Sequence, residues 1–116
     1  MDPKDRLITA LDFPSFAEAK AFVEELGDSL SFYKVGMELF YAAGPEIITY
    51  LKEKNKKVFL DLKLQDIPNT VAHSLAVLTR LGVDILNVHA VGGAKMMAEG
   101  AKAVRIAAAA LHRPAP

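Results

Sequence analysis

Asp61-Leu62-Lys63-Leu64-Gln65-Asp66 sets three charges of alternating sign within six residues, directly after the apolar run Val58-Phe59-Leu60. On an extended strand alternate side chains share a face, so Asp61 and Lys63 are expected to point one way and Leu60 and Leu62 the other. A carboxylate and an ammonium side by side at the end of a buried strand are costly to desolvate. Such an arrangement calls for a reason beyond packing, and catalysis is one. Three further polar residues stand where apolar runs end: Asp12, Lys34 and His89.

The elements that must position these residues alternate along the chain. Apolar runs at Leu7–Leu11, Leu30–Val35, Lys57–Leu62 and Val83–His89 are bounded by turn residues and read as four strands. Between and after them lie stretches with helical periodicity. The first opens on the capping-box pattern Ser15-Phe16-Ala17-Glu18, stops at Gly27, and puts Phe16, Ala19, Phe22, Val23 and Leu26 on one face. The second covers residues 38–55 and is broken at Gly44-Pro45. The third follows Pro68, ends at Gly82, and carries a stripe of Val71, Leu75, Leu78 and Leu81. The fourth covers residues 94–111, and residues 104–116 read as a helix end and tail.

The order β-α-β-α-β-α-β-α, with strands starting roughly 25 residues apart, implies right-handed βαβ units and a parallel sheet covered by helices. Two α/β architectures fit: a doubly wound sheet, or a (β/α)8 barrel of which these four β-α units are the first half. A whole barrel takes about 250 residues, so the 116 residues here are expected to form a single domain, 1–116, that is half of one. In either architecture ligands bind at the carboxyl ends of the strands. Asp12, Lys34, Asp61, Lys63 and His89 all fall there, with Asp66 in the loop just beyond.

Composition narrows the class. Apolar residues make up 52% and charged residues 24%, as in a globular, soluble chain. Fourteen basic and fourteen acidic residues cancel, which argues against nucleic acid or an anionic membrane as the main partner. There is no cysteine, hence no disulfide, thiolate metal site or cysteine nucleophile. No apolar run approaches the roughly 20 residues that span a bilayer, and the opening Met1-Asp2-Pro3-Lys4-Asp5 lacks the shape of a secretory signal. The expected compartment is the cytoplasm. No metal motif, P-loop or dinucleotide fingerprint occurs.

Each polar residue also has a plainer reading. Lys34 and Asp61 fit a structural ion pair between neighbouring strands. Asp12 and Asp66 each precede a turn and fit a turn-shaping role. His89 fits a core histidine bonded to a carbonyl, while His73 and His112 fit solvent-facing positions. Lys52-Glu53-Lys54-Asn55-Lys56-Lys57 reads as a solvated helix end whose cations complement the dipole.

Taken together, Asp61-x-Lys63-x-x-Asp66-Ile67-Pro68-Asn69-Thr70 resembles the signature of the orotidine 5'-monophosphate decarboxylases. Leu11-Asp12-Phe13-Pro14, Lys34-Val35-Gly36 and His89-Ala90 match in order and approximate spacing, so the resemblance runs from about Leu7 to about Ala103. The wider suprafamily shares D-x-K-x-x-D and includes Mg2+-dependent sugar-phosphate decarboxylases and aldolases. Those relatives carry an acidic residue where this chain has Lys34, which favours the metal-free nucleotide branch. A non-catalytic half-barrel module that binds a phosphorylated ligand is a third reading.

The resemblance implies a carboxy-lyase of pyrimidine biosynthesis with a (β/α)8 barrel, no cofactor, no metal, a nucleotide substrate and a homodimeric assembly. It implies an alternating network of Lys34, Asp61, Lys63 and Asp66, with Lys63 as the proton donor to C6 of the pyrimidine. Asp12, Lys34, Thr70 and His89 become substrate contacts, and Ile67 packs beside the pyrimidine. Asp66, Ile67 and Thr70 reach the site of a partner subunit. The family's phosphate grip and closing loop lie in the second half of the barrel. The 116 residues alone are therefore expected to have negligible activity and, with open sheet edges, to self-associate.

Overall fold

The computed structural model describes residues 1–116. The chain runs β1 (Thr9–Ala10), α1 (Phe16–Leu26), β2 (Phe32–Val35), α2 (Met37–Ala43), α3 (Glu46–Glu53), β3 (Lys57–Leu64), α4 (Pro68–Thr79), β4 (Ile85–Val88) and α5 (Ala94–Ala110). It is an α/β fold of four parallel strands in the order β1-β2-β3-β4, with helices between them. Two compact units divide the chain at Asp61, inside β3: residues 1–61 and 62–116. No helix is long and apolar enough to cross a membrane.

In the first unit β1 pairs with β2, Thr9 opposite Tyr33 and Ala10 opposite Lys34, and β2 pairs with β3 from Phe32–Lys57 to Val35–Leu60. β1 is shorter than the run Leu7–Leu11. A 3-10 turn at Pro3–Arg6 takes up the preceding chain, leaving Leu7 and Ile8 exposed. The Leu11 N–H still donates to the Lys34 carbonyl at 2.9 Å, and its side chain is buried. α1 starts where the capping pattern placed it. Ser15 Oγ accepts from the Glu18 N–H at 3.2 Å, and Gly27 ends the helix at φ +48°, a conformation costly to a residue with a Cβ. The second helical stretch is two helices, α2 and α3, separated at Gly44-Pro45 as expected.

The core of this unit is Tyr33, Val35, Leu39, Ile47, Ile48, Leu51, Val58 and Leu60, all essentially inaccessible. Each such aliphatic side chain stabilises the fold by about 1.5–3 kcal/mol. The lysine run after α3 departs from the solvated reading. Asn55, at φ +58°, turns the chain back, and Lys56 is buried with its ammonium donating to the carbonyls of Gly27 at 2.7 Å and Leu30 at 2.8 Å. Lys57 Nζ reaches Asp5 Oδ2 at 2.7 Å.

In the second unit Pro68 opens α4 in its first turn. The stripe holds: Val71, Leu75 and Leu78 are buried. The helix stops at Thr79 rather than Gly82, because the last residues turn tightly into Gly82 at φ +82°. Val71 and Leu75 pack with Met96 and Val104 of α5, flanked by Leu64, Leu86 and Val88. A Cβ on Gly100 would lie 2.8 Å from Leu75 Cδ1, so the missing side chain lets α4 and α5 approach.

Candidate active site

Parallel pairing carries the first polar group inward. Lys34 is the third residue of β2, and its ammonium lies 3.5 Å from Asp12 Oδ1 and 3.6 Å from Asp61 Oδ2. The two carboxylates differ in setting. The Asp61 side chain is 10% exposed, in the middle of β3 between buried Leu60 and Leu62, whereas Asp12 is 68% exposed in the turn after β1. A Cβ at Gly36 would stand 3.4 Å from Lys34 Nζ and 3.8 Å from Asp12 Oδ1, so this glycine keeps a face of the ammonium open. Gly36 was quoted in the sequence pattern without a role. Its signal is its place two residues after a strand-end lysine.

Lys63 lies on the same strand but does not follow the simple alternation. Its φ is +52°, in the left-handed region, and its side chain is exposed. For a residue with a long side chain this backbone costs about 1–2 kcal/mol, and such strain collects at functional positions. The period-2 rule assumes extended backbone on both sides, so it does not set where Lys63 points. The Lys63 N–H donates to Asn87 Oδ1 of β4 at 2.9 Å. Sequence reasoning missed Asn87, a single amide inside the run Ile85-Leu86-Asn87-Val88.

The loop and first turn after β3 hold Asp66, Ile67 and Thr70, all exposed. Asp66 Oδ1 accepts from the Ile67 N–H at 2.6 Å, which gives Asp66 the turn-shaping contact of its plainer reading. Ile67 is 65% exposed. His89 follows β4 and caps a 3-10 turn at Ala90–Gly92. Its N–H donates to the Leu64 carbonyl at 3.0 Å and its side chain is exposed, not a core histidine. His73 and His112 are exposed as expected. The first unit thus gathers Asp12, Lys34 and Asp61, and the second ties the backbones of Lys63 and His89 to neighbouring strand ends.

The model of the orotidine 5'-phosphate decarboxylase / HUMPS family matches residues 5–110. An orotidine 5'-phosphate decarboxylase of Moorella thermoacetica is 52% identical over the whole chain, which covers 46% of that protein. One from Lactococcus lactis is 56% identical over 95 residues, covering 81% of this chain and 40% of that protein. The chain spans less than half the length of these curated relatives. Among solved structures, the orotidine 5'-phosphate decarboxylase of Lactobacillus acidophilus superposes with a TM-score of 0.80 at 40% identity, over 87% of this chain and 46% of that one. That of Pyrococcus horikoshii gives 0.74 at 30% identity, over 83% and 47%. The β-α units match about half of these barrels. With a family match across nearly its full length and relatives above 50% identity, the chain belongs to the orotidine 5'-phosphate decarboxylase / HUMPS family.

Proposed function

We propose that these residues supply the charged part of the active site of an orotidine 5'-phosphate decarboxylase, which forms UMP and carbon dioxide in pyrimidine biosynthesis. The observation that carries the reading is the Lys34 ammonium between the Asp12 and Asp61 carboxylates, on the strand beside the one that continues into Lys63 and Asp66. In the proposed reaction the C6–carboxylate bond breaks, its electron pair stays on C6, and the Lys63 ammonium delivers the proton that completes the product. Before transfer, its positive charge stabilises the developing carbanion, the kind of contribution that is usually largest. Asp61 and Asp66 lie near the substrate carboxylate and disfavour the bound acid. Asp12, Lys34 and Thr70 bind ribose hydroxyls, His89 contacts the substrate, and Ile67 packs on the pyrimidine. Asp66, Ile67 and Thr70 act across a homodimer interface in the cytoplasm. Exposure of all three supports that part of the reading.

The sugar-phosphate branch differs at one position that matters. There an acidic residue in place of Lys34 helps hold Mg2+, whereas the ammonium here occupies the place between the two carboxylates and would repel a divalent cation. The test mixes this chain with the separately made remaining part of the Moorella thermoacetica relative. Ultraviolet loss of orotidine 5'-monophosphate is followed with and without a chelator. The expected result is turnover in the mixture, unaffected by chelator, and negligible turnover by the 116 residues alone. Turnover of a sugar phosphate that requires Mg2+, with none of the nucleotide, would overturn it.

A further inference from the structure

Three non-glycine residues have a left-handed backbone. Asn55 and His112 use it to end helices. After α3 the Lys56 N–H reaches back to the Leu51 carbonyl, and after α5 the Arg113 N–H reaches back to that of Ala108, the ordinary helix-closing pattern. Lys63 has no helix to close and stands inside β3 at φ +52°. Something must favour that conformation over the extended one, and the structure shows a side-chain contact at this residue's own N–H. The Lys63 N–H donates to the side-chain oxygen of Asn87 on β4, at 2.9 Å, one residue before the Leu64 carbonyl accepts from the His89 N–H.

We propose that Asn87 is a positioning residue: its amide oxygen holds the Lys63 backbone left-handed and thereby sets the direction in which the Lys63 ammonium leaves the strand. The inference rests on the reading of Lys63 as the proton donor. Asn87 is partly buried on a strand whose neighbours Leu86 and Val88 pack against the α4–α5 core, so its short side chain has little freedom to miss its partner. A proton donor misplaced by 1 Å can lose on the order of 100-fold in rate. The backbone at Lys63 is the pivot for all of its side chain.

Two substitutions separate position from packing. Asn87→Leu keeps the shape and removes the acceptor; Asn87→Asp keeps the acceptor. The first readout is nuclear magnetic resonance of the 116-residue chain: amide exchange at Lys63 and its φ from scalar couplings. Asn87→Leu is expected to speed exchange of the Lys63 amide at least tenfold and move φ out of the positive range, while Asn87→Asp retains both. The second readout is the mixture with the remaining part of the Moorella thermoacetica relative. There Asn87→Leu is expected to lower kcat roughly 10- to 100-fold with KM little changed, and Asn87→Asp to recover most of kcat. A Lys63 amide and φ unchanged in a folded Asn87→Leu chain would overturn the proposal, as would an unchanged kcat. If Asn87→Leu fails to fold, loss of the Lys63 conformation in folded Asn87→Asp overturns it equally. Should the unsubstituted mixture not decarboxylate while the resonance results hold, Asn87 still holds Lys63, and the decarboxylase reading alone falls.

Discussion

At the scale of residues, Lys34 faces two carboxylates that are unequal. Asp61 has lost nearly all its water and Asp12 has not, so removal of the cation between them is felt mainly by Asp61. Lys34→Met is expected to lower the stability of the chain by about 1–3 kcal/mol, the usual consequence of leaving a buried polar group with one partner fewer. Asp12→Ala is expected to stay within about 0.5 kcal/mol. Urea denaturation of the two variants checks this, and equal losses would contradict it. The clustering of Asp12, Lys34 and Asp61 was legible in the sequence because neighbouring parallel strands bring their polar residues side by side, but β3 runs on to Leu64 and so holds Asp61 in its middle rather than at its end. The direction of Lys63 was not, because one left-handed residue ends the alternation on which that reading depends. Asn87 was not legible either, since its partner is a backbone N–H on another strand, which leaves no mark in the sequence around it.

At the scale of elements, the breaks were legible and the tethers were not. Gly44-Pro45 split the second helical stretch where expected, because proline removes a donor whatever its surroundings. The short β1 follows from tertiary pairing: only Thr9 and Ala10 stand in register with β2, and Leu11 adds a single hydrogen bond to the Lys34 carbonyl. Lys56 and Lys57 look like solvated cations until the fold brings carbonyls and Asp5 to them. The Lys57 ammonium donates to Asp5 and holds its carboxyl below the usual range, against an opposing push from burial, with the Ser31 hydroxyl adding to the lowering. A carboxyl with a lowered folded-state pKa stabilises the fold above its ordinary value and loses that contribution as pH falls through the folded one. Asp5→Asn is therefore expected to melt lower than the unsubstituted chain at pH 7, with the gap closing below about pH 4. A gap that persists unchanged to pH 2 would rule out this linkage.

At the scale of the whole molecule, the proposed site is shared between two subunits, and that sharing has an arithmetic signature. In the proposed dimer Lys63→Ala would remove the donor from one subunit's site, whereas Asp66→Asn would act on the site of its partner. Made as separate mixtures with the remaining part of a relative, each variant is expected to be inactive. Combined and allowed to exchange subunits, they form mixed dimers in which one site is doubly altered and the other intact, restoring about a quarter of full activity. No recovery after demonstrated exchange would place Asp66 in its own subunit's site. The α/β class was legible at this scale from the spacing of apolar runs, whereas the strand order was not, because that spacing fits a doubly wound sheet and a barrel alike and the resemblance favoured the barrel. The proposed assembly rests on the family resemblance, because the exposed Ile67 and Thr70 do not by themselves say what covers them.

Whether Lys63 carries the chemistry is decided by the decarboxylation rate of the mixed system with and without Lys63→Ala. The substitution is expected to lower kcat by roughly 100- to 10,000-fold, the usual contribution of a positioned proton donor, in a variant that folds as the unsubstituted chain does because this side chain is exposed. Equal rates from the two folded proteins would contradict it.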